Sequence, residues 1–381
     1  MAAATLRRRG KSVHCRGPDS RGAAVSADLA RLADLVESFP QQTIALLGDF
    51  VADEFLFGEI ARVSREAPVL ILRHRETQLL PGGGANAANN LADLGARVLP
   101  VSAVGDDTAG RALIDYFRRK RVDTGGIIRV PGWTTPTKTR YLAGWTHSTR
   151  QQVLRVDREP SAPLPARVRE ALRRKARERL RRAAALLVSD YGCGAATPEV
   201  LGELRGRRTP GSAREELITL DSRFKLHDYR GLGVTAATPN EPELEALHGT
   251  RIGTDRDALE RIAGRTLRQM KLQALLVTRG KDGMVVFEPR RKPHFIPIYG
   301  TDQVADVTGA GDTVIAVFTL ALAAGATFVE AAYLANYAGG IVVMKRGTAS
   351  LTREELMAAI RSDATSGPAE PAAAGSEKTS Q

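Results

Sequence analysis

The chain has 381 residues, with 55 Lys and Arg against 43 Asp and Glu, a net charge of +12, and 5% aromatic side chains. That length can bury the core of one large α/β domain or two smaller ones, and no apolar run is long enough to span a bilayer. Two cysteines without a CxxC leave no disulfide framework or thiolate zinc site and fit a reducing cytoplasm; zinc-finger spacing, RNA-binding aromatics and a basic zipper are also missing, so the basic balance points to anionic small molecules more than to nucleic acid.

Much of the charge excess is local. Residues 1–22 hold Arg7, Arg8, Arg9, Lys11, Arg16 and Arg21 against Asp19, with no apolar core for a secretory signal. This stretch, to about residue 25, reads as a disordered basic arm, although an organelle transit peptide has overlapping composition. A domain over 26–362 then opens with an amphipathic helix at 27–39, carried by Leu29, Leu32, Leu35 and Val36 and ended by Pro40.

Residues 43–47 form a buried strand that stops at Gly48-Asp49. Asp49 and Asp53 therefore lie beyond the carboxyl end of a strand, where open α/β sheets collect ligands. A carboxylate can accept from two sugar hydroxyls at once; turn capping is the competing use. Short strands at 56–63 and 69–73 belong to a lid spanning about 54–75. At Gly82-Gly83-Gly84 the backbone can approach a ligand, Asn86 can donate and accept, and a helix follows over 87–94. A strand at 97–104 and a helix at 108–120 come next. The lid resumes at about 135–158, with strands 137–143 and 153–157 joined by a polar loop over 144–150. Lys138 and Arg140 share one strand face, suited to an anion or simply an exposed charged edge. The very basic segment 165–182 reads as a solvated helix.

A buried strand at 184–188 ends at Ser189-Asp190-Tyr191, and another at 217–220 ends at Asp221. Residues 234–237 lead to Asn240 and Glu243, which can form a capping box; oxygen donors of this kind also suit Mg²⁺, which keeps its water. The strand at 274–277 ends at Thr278-Arg279-Gly280, with Gly283 beyond. The run Asp306 to Asp312 then enters an apolar helix at 313–324. A helix start has unpaired N–H groups and a positive dipole end, and small residues let an anion come close. Asp312 would repel that anion unless it takes a proton from an attacking hydroxyl, as phosphoryl transfer requires; a plain helix cap is the alternative. A helix over 331–345 carries Asn336, Gly339 and Gly340, and the composition of 363–381 reads as a disordered tail. Strands alternating with helices call for a mainly parallel sheet.

Two signatures, Gly82 to Ala88 with Gly95 and Gly105, and Asp306 to Asp312, resemble those of the PfkB/ribokinase family of carbohydrate kinases across roughly residues 40–360. Gly48-Asp49 with Asp53, Ser64 to Pro68, Thr137 to Arg140 and Ser189 to Tyr191 are most like the heptose 7-phosphate kinases within it. The resemblance implies a ribokinase-like three-layer α/β/α sandwich with a small β-sheet lid, a homodimer through the lid, and a cytoplasmic enzyme using ATP and Mg²⁺. It implies Asp312 as base, with Gly309, Ala310 and Gly311 as the anion cradle. ATP falls to Asn240, Glu243, Thr278, Arg279, Gly280, Gly283, Asn336 and Gly339, with Glu243 meeting Mg²⁺ through water. The sugar phosphate falls to Asp49, Asp53, Gly83, Gly84, Asn86, Lys138, Arg140 and Asp190. K⁺ is implied at Asp306 and Thr308, with carbonyls from Lys345-Arg346-Gly347. The chain departs from the heptose kinases at Cys193, where they carry Lys, and at Ser222-Arg223 in place of Pro-Lys, which keeps the charge. No His-x-Gly-His element follows Leu351, so the expectation is a kinase alone. A PfkB kinase for another sugar, sugar phosphate or nucleoside is the alternative. A non-catalytic sugar- or nucleotide-binding regulator is a second, against which Asp312 counts, since a binder needs no base.

Overall fold

A computed structural model describes residues 21–144, 151–205, 216–223, 225–300, 306–345, 347 and 349–366. The arm up to residue 20, the loop 145–150, Arg346 and the tail beyond 366 lie outside the described residues. Helix α1 (Arg21–Glu37) starts inside the segment expected to be a disordered arm, and its Leu32, Leu35 and Val36 are buried in the core.

Strand β1 (Thr43–Gly48) is followed after one residue by β2 (Phe50–Val63), which pairs antiparallel with β3 (Leu70–Gly83). The lid hairpin is thus two 14-residue strands, where short pieces were expected. Its outer half is exposed on both faces, so no apolar alternation marks it in the sequence. Helix α2 (Gly84–Asp93) begins directly at the third glycine, ahead of the expected start at 87. Next come β4 (Arg97–Gly105), α3 (Thr108–Arg119), β5 (Ile127–Val130), β6 (Thr137–Gly144), β7 (Gln151–Arg158) and α4 (Ala166–Leu180). Then follow β8 (Ala185–Asp190), α5 (Pro198–Arg205), β9 (Leu217–Ser222), β10 (Ala236–Ala237), α6 (Glu241–His248) and α7 (Arg256–Met270). The chain continues through β11 (Ala274–Thr278), β12 (Met284–Phe287), β13 (His294–Ile296), α8 (Ala310–Ala323), α9 (Phe328–Val343) and α10 (Arg353–Ser366).

The main sheet has nine strands in the order β13-β12-β11-β10-β9-β8-β1-β4-β5. It is parallel from β11 to β5, with β12 and β13 antiparallel at one edge. β1 and β8 are almost continuously apolar because helices cover both faces, as parallel strands require. One core cluster takes α1, α2, α3, α8, α9 and α10; the other takes α4, α5, α6 and α7, which makes three layers. α8 is apolar on nearly all sides and buried from Asp312 to Ala321, as a helix wedged between a sheet and two neighbours must be.

The lid is a separate four-stranded sheet, β3-β2-β6-β7. Because β8, β9, β10 and β11 run parallel to β1, residues 49, 190–193, 221–223, 238–243 and 278–283 gather along one edge of the main sheet, with the lid and the start of α8 beside them.

Candidate active site

Gly309 caps α8 with φ +79°, a left-handed conformation that favours glycine. Ala310, Gly311 and Asp312 form the first turn, where a helix has no internal acceptors for its N–H groups. A side-chain carbon on Gly311 would meet nothing within 4 Å, so the space over the helix start is open. Asp312 is 2% exposed. The Tyr191 hydroxyl donates to its Oδ1 at 2.7 Å and Asn86 Nδ2 donates to its Oδ2 at 3.0 Å. Burial pushes the Asp312 carboxyl up to about 7, opposed by those two hydrogen bonds; Asp53 adds to the rise and Lys138 counters it. A carboxylate that titrates near neutral pH beside an anion cradle can take a proton from a hydroxyl.

Several residues expected at the sugar make hydrogen bonds within the protein. Asn86 is fully buried: its amide hydrogens go to Asp312 and to the Gly309 carbonyl at 3.2 Å, and its Oδ1 accepts from Asn90. These bonds tie it to the start of α8 and to Asp312. Asp49 accepts four backbone N–H groups, from Tyr191 and Cys193 on Oδ2 and from Ala195 and Ala196 on Oδ1. These bonds are the turn-capping use; burial and nearby Asp190 push the Asp49 carboxyl up to about 6, against the pull of those amides. Asp190 accepts the Gly192 N–H on Oδ1 and the Ser222 and Tyr229 hydroxyls on Oδ2. Gly83 and Gly84 pack closely on the protein: a side-chain carbon on either would lie about 3 Å from the Asp49 carbonyl.

Asp53 and Arg140 are both buried, and Arg140 Nη1 lies 2.6 Å from Asp53 Oδ1. Arg140 also stacks over the Phe55 ring, so in this structure its guanidinium is held against Asp53. Gly82 makes room for this pair, since any side chain there would strike the Asp53 carboxylate at 2.6 Å.

Lys138, on the same strand face as Arg140, has a different setting. It lines a cavity of 160 Å³ between the lid and the end of β8, together with Arg155, Arg158 and Arg223. Asp157 and Glu159 also reach this cavity, and Arg155 forks Asp157 at 2.6 and 2.8 Å. Lys138 Nζ sits 5.3 Å from the centroid of the Tyr191 ring, and burial lowers its pKa, with Arg223 adding to the fall. Tyr191, Arg155, Arg158 and Arg223 were missed as site residues. Tyr191 follows a strand end directly, which is the one signal that could have found it.

On the other side of α8, Asn240 and Glu243 form the capping box, with bonds of 2.8 and 3.0 Å. Burial raises the Glu243 pKa. The half-buried Asp221 is raised well above the carboxylate range by burial and by Glu243, Asp312 and Asp190, with Arg223 opposing. A bridge between Asn240 and Thr278 brings the two loops together. Arg279 pairs with Glu241 at 2.5 Å, which ties the turn at 278–280 to the start of α6. Gly280 and Gly283 have positive φ, and Gly283 must lack a side chain because it would lie 2.1 Å from the Ile296 carbonyl. Asn336 donates to the Pro297 carbonyl at 2.8 Å, and Gly339 packs on Val314 and Met284. Both build the wall behind the loops. Asp306 accepts the Thr308 N–H at 2.9 Å and the Gly347 N–H at 3.1 Å; these bonds outweigh burial and lower its pKa.

The family model for pfkB family carbohydrate kinases matches residues 50–355, most of the chain. The chain is a PfkB-family carbohydrate kinase. Two bifunctional HldE proteins illustrate its relatives. That of Trichlorobacter lovleyi is 38% identical over 331 residues, 86% of this kinase and 65% of that protein. That of Geobacter metallireducens is 40% identical over 313 residues, 82% of this kinase and 61% of that protein. The kinase thus spans less than two thirds of the length of these curated relatives. Among solved structures, Arabidopsis thaliana ribokinase complexed with ribose and ATP matches with a TM-score of 0.62 at 17% identity, over 84% of this kinase and 99% of that chain. Escherichia coli phosphofructokinase-2 in complex with potassium matches at 0.65 and 18%, over 84% and 98%. The expected ribokinase-like α/β fold with its lid is the fold observed.

Proposed function

We propose that this PfkB kinase transfers the γ-phosphoryl group of ATP to the anomeric hydroxyl of D-glycero-D-manno-heptose 7-phosphate. The observation that carries the reading is the cavity holding Lys138, Arg155, Arg158 and Arg223, walled by the same Tyr191 that bonds Asp312. An acceptor with a phosphate at one end and a hydroxyl at the other suits cations and a base that meet on opposite parts of one Tyr191 side chain. The 38–40% identity to bifunctional HldE proteins supports a heptose phosphate over other phosphorylated sugars.

In the reaction, the anomeric oxygen forms a bond to the γ-phosphorus. The bond from that phosphorus to the β,γ-bridging oxygen breaks, and its electron pair leaves with ADP. Asp312 takes the anomeric proton, and the first-turn N–H groups of α8 stabilise charge on the group in transit. Asn240, Glu243 and Asp221 would offer oxygen donors near the ends of β9 and β10, the chemistry Mg²⁺ prefers, and Glu243 would meet it through water. Bound Mg²⁺ neutralises charge on the ATP phosphates. K⁺ at the 306–308 turn belongs to the same proposal: Asp306 ties that turn to Gly347, although its oxygens already accept two N–H groups. So do a homodimer through the lid and a cytoplasmic location; no helix among the described residues is long and apolar enough to cross a membrane.

Cys193 in the cavity wall favours one second reading, a PfkB kinase for a different sugar phosphate. The test is an ATP-consumption screen over sugars and sugar phosphates. Heptose 7-phosphate should give the highest kcat/KM, and heptose without the phosphate should lose roughly 10²-fold, the value of one or two charge-assisted contacts. Equal turnover of phosphorylated and plain heptose would remove the cavity from substrate recognition.

A further inference from the structure

We infer that Tyr191 is a positioning residue for the base: its hydroxyl keeps Asp312 ionised and aimed, while its ring walls the cation-lined cavity. The inference rests on Asp312 being the proton acceptor.

The ring is clamped from three sides. Its own backbone N–H donates to Asp49 at 2.9 Å, and the next residues of the loop are held by the same carboxylate. Gly83 leaves room for the ring, because a side-chain carbon there would lie 3.2 Å from Tyr191 Cδ2. Lys138 covers the ring face. A phenol fixed this way delivers one hydrogen bond in one direction, to Asp312 Oδ1. Burial, with Asp312 and Asp221 beside it, raises the Tyr191 pKa well above its ordinary value, so it stays neutral and donates.

Asp312 has no cation in direct contact among its hydrogen-bond partners, which are the Tyr191 hydroxyl and the Asn86 amide. The charged and titratable groups facing it are Asp53 of β2, Lys138 of β6 and Asp221 of β9, with Arg223 after β9 acting on Tyr191 and Asp221. Burial and the two acids favour the protonated form, which cannot accept the acceptor's proton. Each carboxylate oxygen has a second lone pair, so the Tyr191 bond leaves room for the incoming hydroxyl.

The sign follows. A hydrogen bond to the charged form lowers a carboxyl pKa, so its removal raises that pKa. In Tyr191→Phe, which keeps the ring, the acid limb of kcat/KM should move up by about one to two pH units, the value of one hydrogen bond to a charged group. At pH 7, where about half of the wild-type carboxyl is ionised, the rate should fall roughly five- to fiftyfold and recover largely above the new limb, with KM for ATP unchanged. Loss of activity by the same factor at every pH would make Tyr191 merely structural and overturn the inference. If Tyr191→Phe does not fold, 3-fluorotyrosine placed at 191 keeps the shape and donates more strongly; the limb should then move to lower pH, and an unmoved limb overturns the inference. Asp312→Asn is run alongside. If that variant is active, or the wild-type profile has no acid limb, the base reading falls and this inference with it; a wild-type limb unmoved in Tyr191→Phe defeats only the role of Tyr191.

Discussion

Asp53 and Asp312 are both buried carboxylates, and they are held in opposite ways. Asp53 pairs with a guanidinium at 2.6 Å, whereas the hydrogen bonds to Asp312 come from a phenol and an amide. For Asp312, dipoles do not fully offset desolvation, and its carboxyl rises to about 7. Asp312→Asn should lower kcat by ~10²–10⁴-fold, because the base is lost while the backbone cradle remains. The wild-type rate should rise with pH through about 7, as the carboxyl ionises; a variant that keeps more than roughly a tenth of the rate would show that Asp312 is not the base. Removing Arg140 should instead act on stability. Arg140→Ala leaves Asp53 buried without its charge partner, which costs about 3–5 kcal/mol and should appear as a lower Tm. An unchanged Tm would mean that water or another side chain replaces the guanidinium. At this scale the sequence showed which strand ends would carry acids but not what those acids would face. Asp49 is filled by amides 142 to 147 positions away, and no local spacing encodes that pairing. Lys138 and Arg140 share a strand face and still diverge, because only Arg140 has an acid in reach of its fork.

The start of α8 was legible because three things coincide in a few residues: glycines, an acid, and a long apolar run. β1, β8 and β11 were legible as short apolar runs ending at polar turns. The long lid hairpin was not, since both faces of its outer half meet solvent and the period-2 signal vanishes. β12 and β13 also escaped notice; they are short and antiparallel at the sheet edge, where one turn of Gly283 decides the pairing. The helix start offers a test that separates fold from function. Gly311 lies within α8, has helical backbone, and would place a side-chain carbon in open space. Gly311→Ala should therefore leave Tm unchanged or raise it, as alanine favours a helix over glycine by up to about 1 kcal/mol. The added methyl group would occupy the space where the transferring phosphoryl group must approach the N–H groups. We expect kcat to fall at least roughly tenfold, a fraction of what loss of one such donor costs. Full activity in a stable Gly311→Ala protein would place the phosphoryl group elsewhere.

The main sheet is sealed on both faces by helices, while the lid is not. Residues at the base of β2, such as Phe50 and Ala52, belong to the core, but the strands then leave it. Among the described residues, six of the eight large apolar side chains that are exposed lie on or beside the lid: Val63, Val69, Leu70, Val153, Leu154 and Val156. Single exposed apolar residues need no explanation, but such a concentration on one small sheet marks a contact surface. A second copy of the chain presenting the same patch would cover it, which is the isologous arrangement of most dimers. The lid also carries Lys138, Arg155 and Arg158, so its placement governs the cation-lined cavity. Dimerisation should therefore tune acceptor binding more than ATP binding. Light scattering on the wild type should give the mass of two chains, and Leu154→Lys with Val69→Lys should give the mass of one. In the charged variant, KM for the acceptor should rise by several-fold while KM for ATP stays within about twofold, since β10 and β11, which lead to the loops at Asn240 and Thr278, stand three and four strands away from β1 in the main sheet. A wild type that scatters as a single chain at micromolar concentration would remove the lid from assembly, and the exposed valines and leucines would then have to face something else.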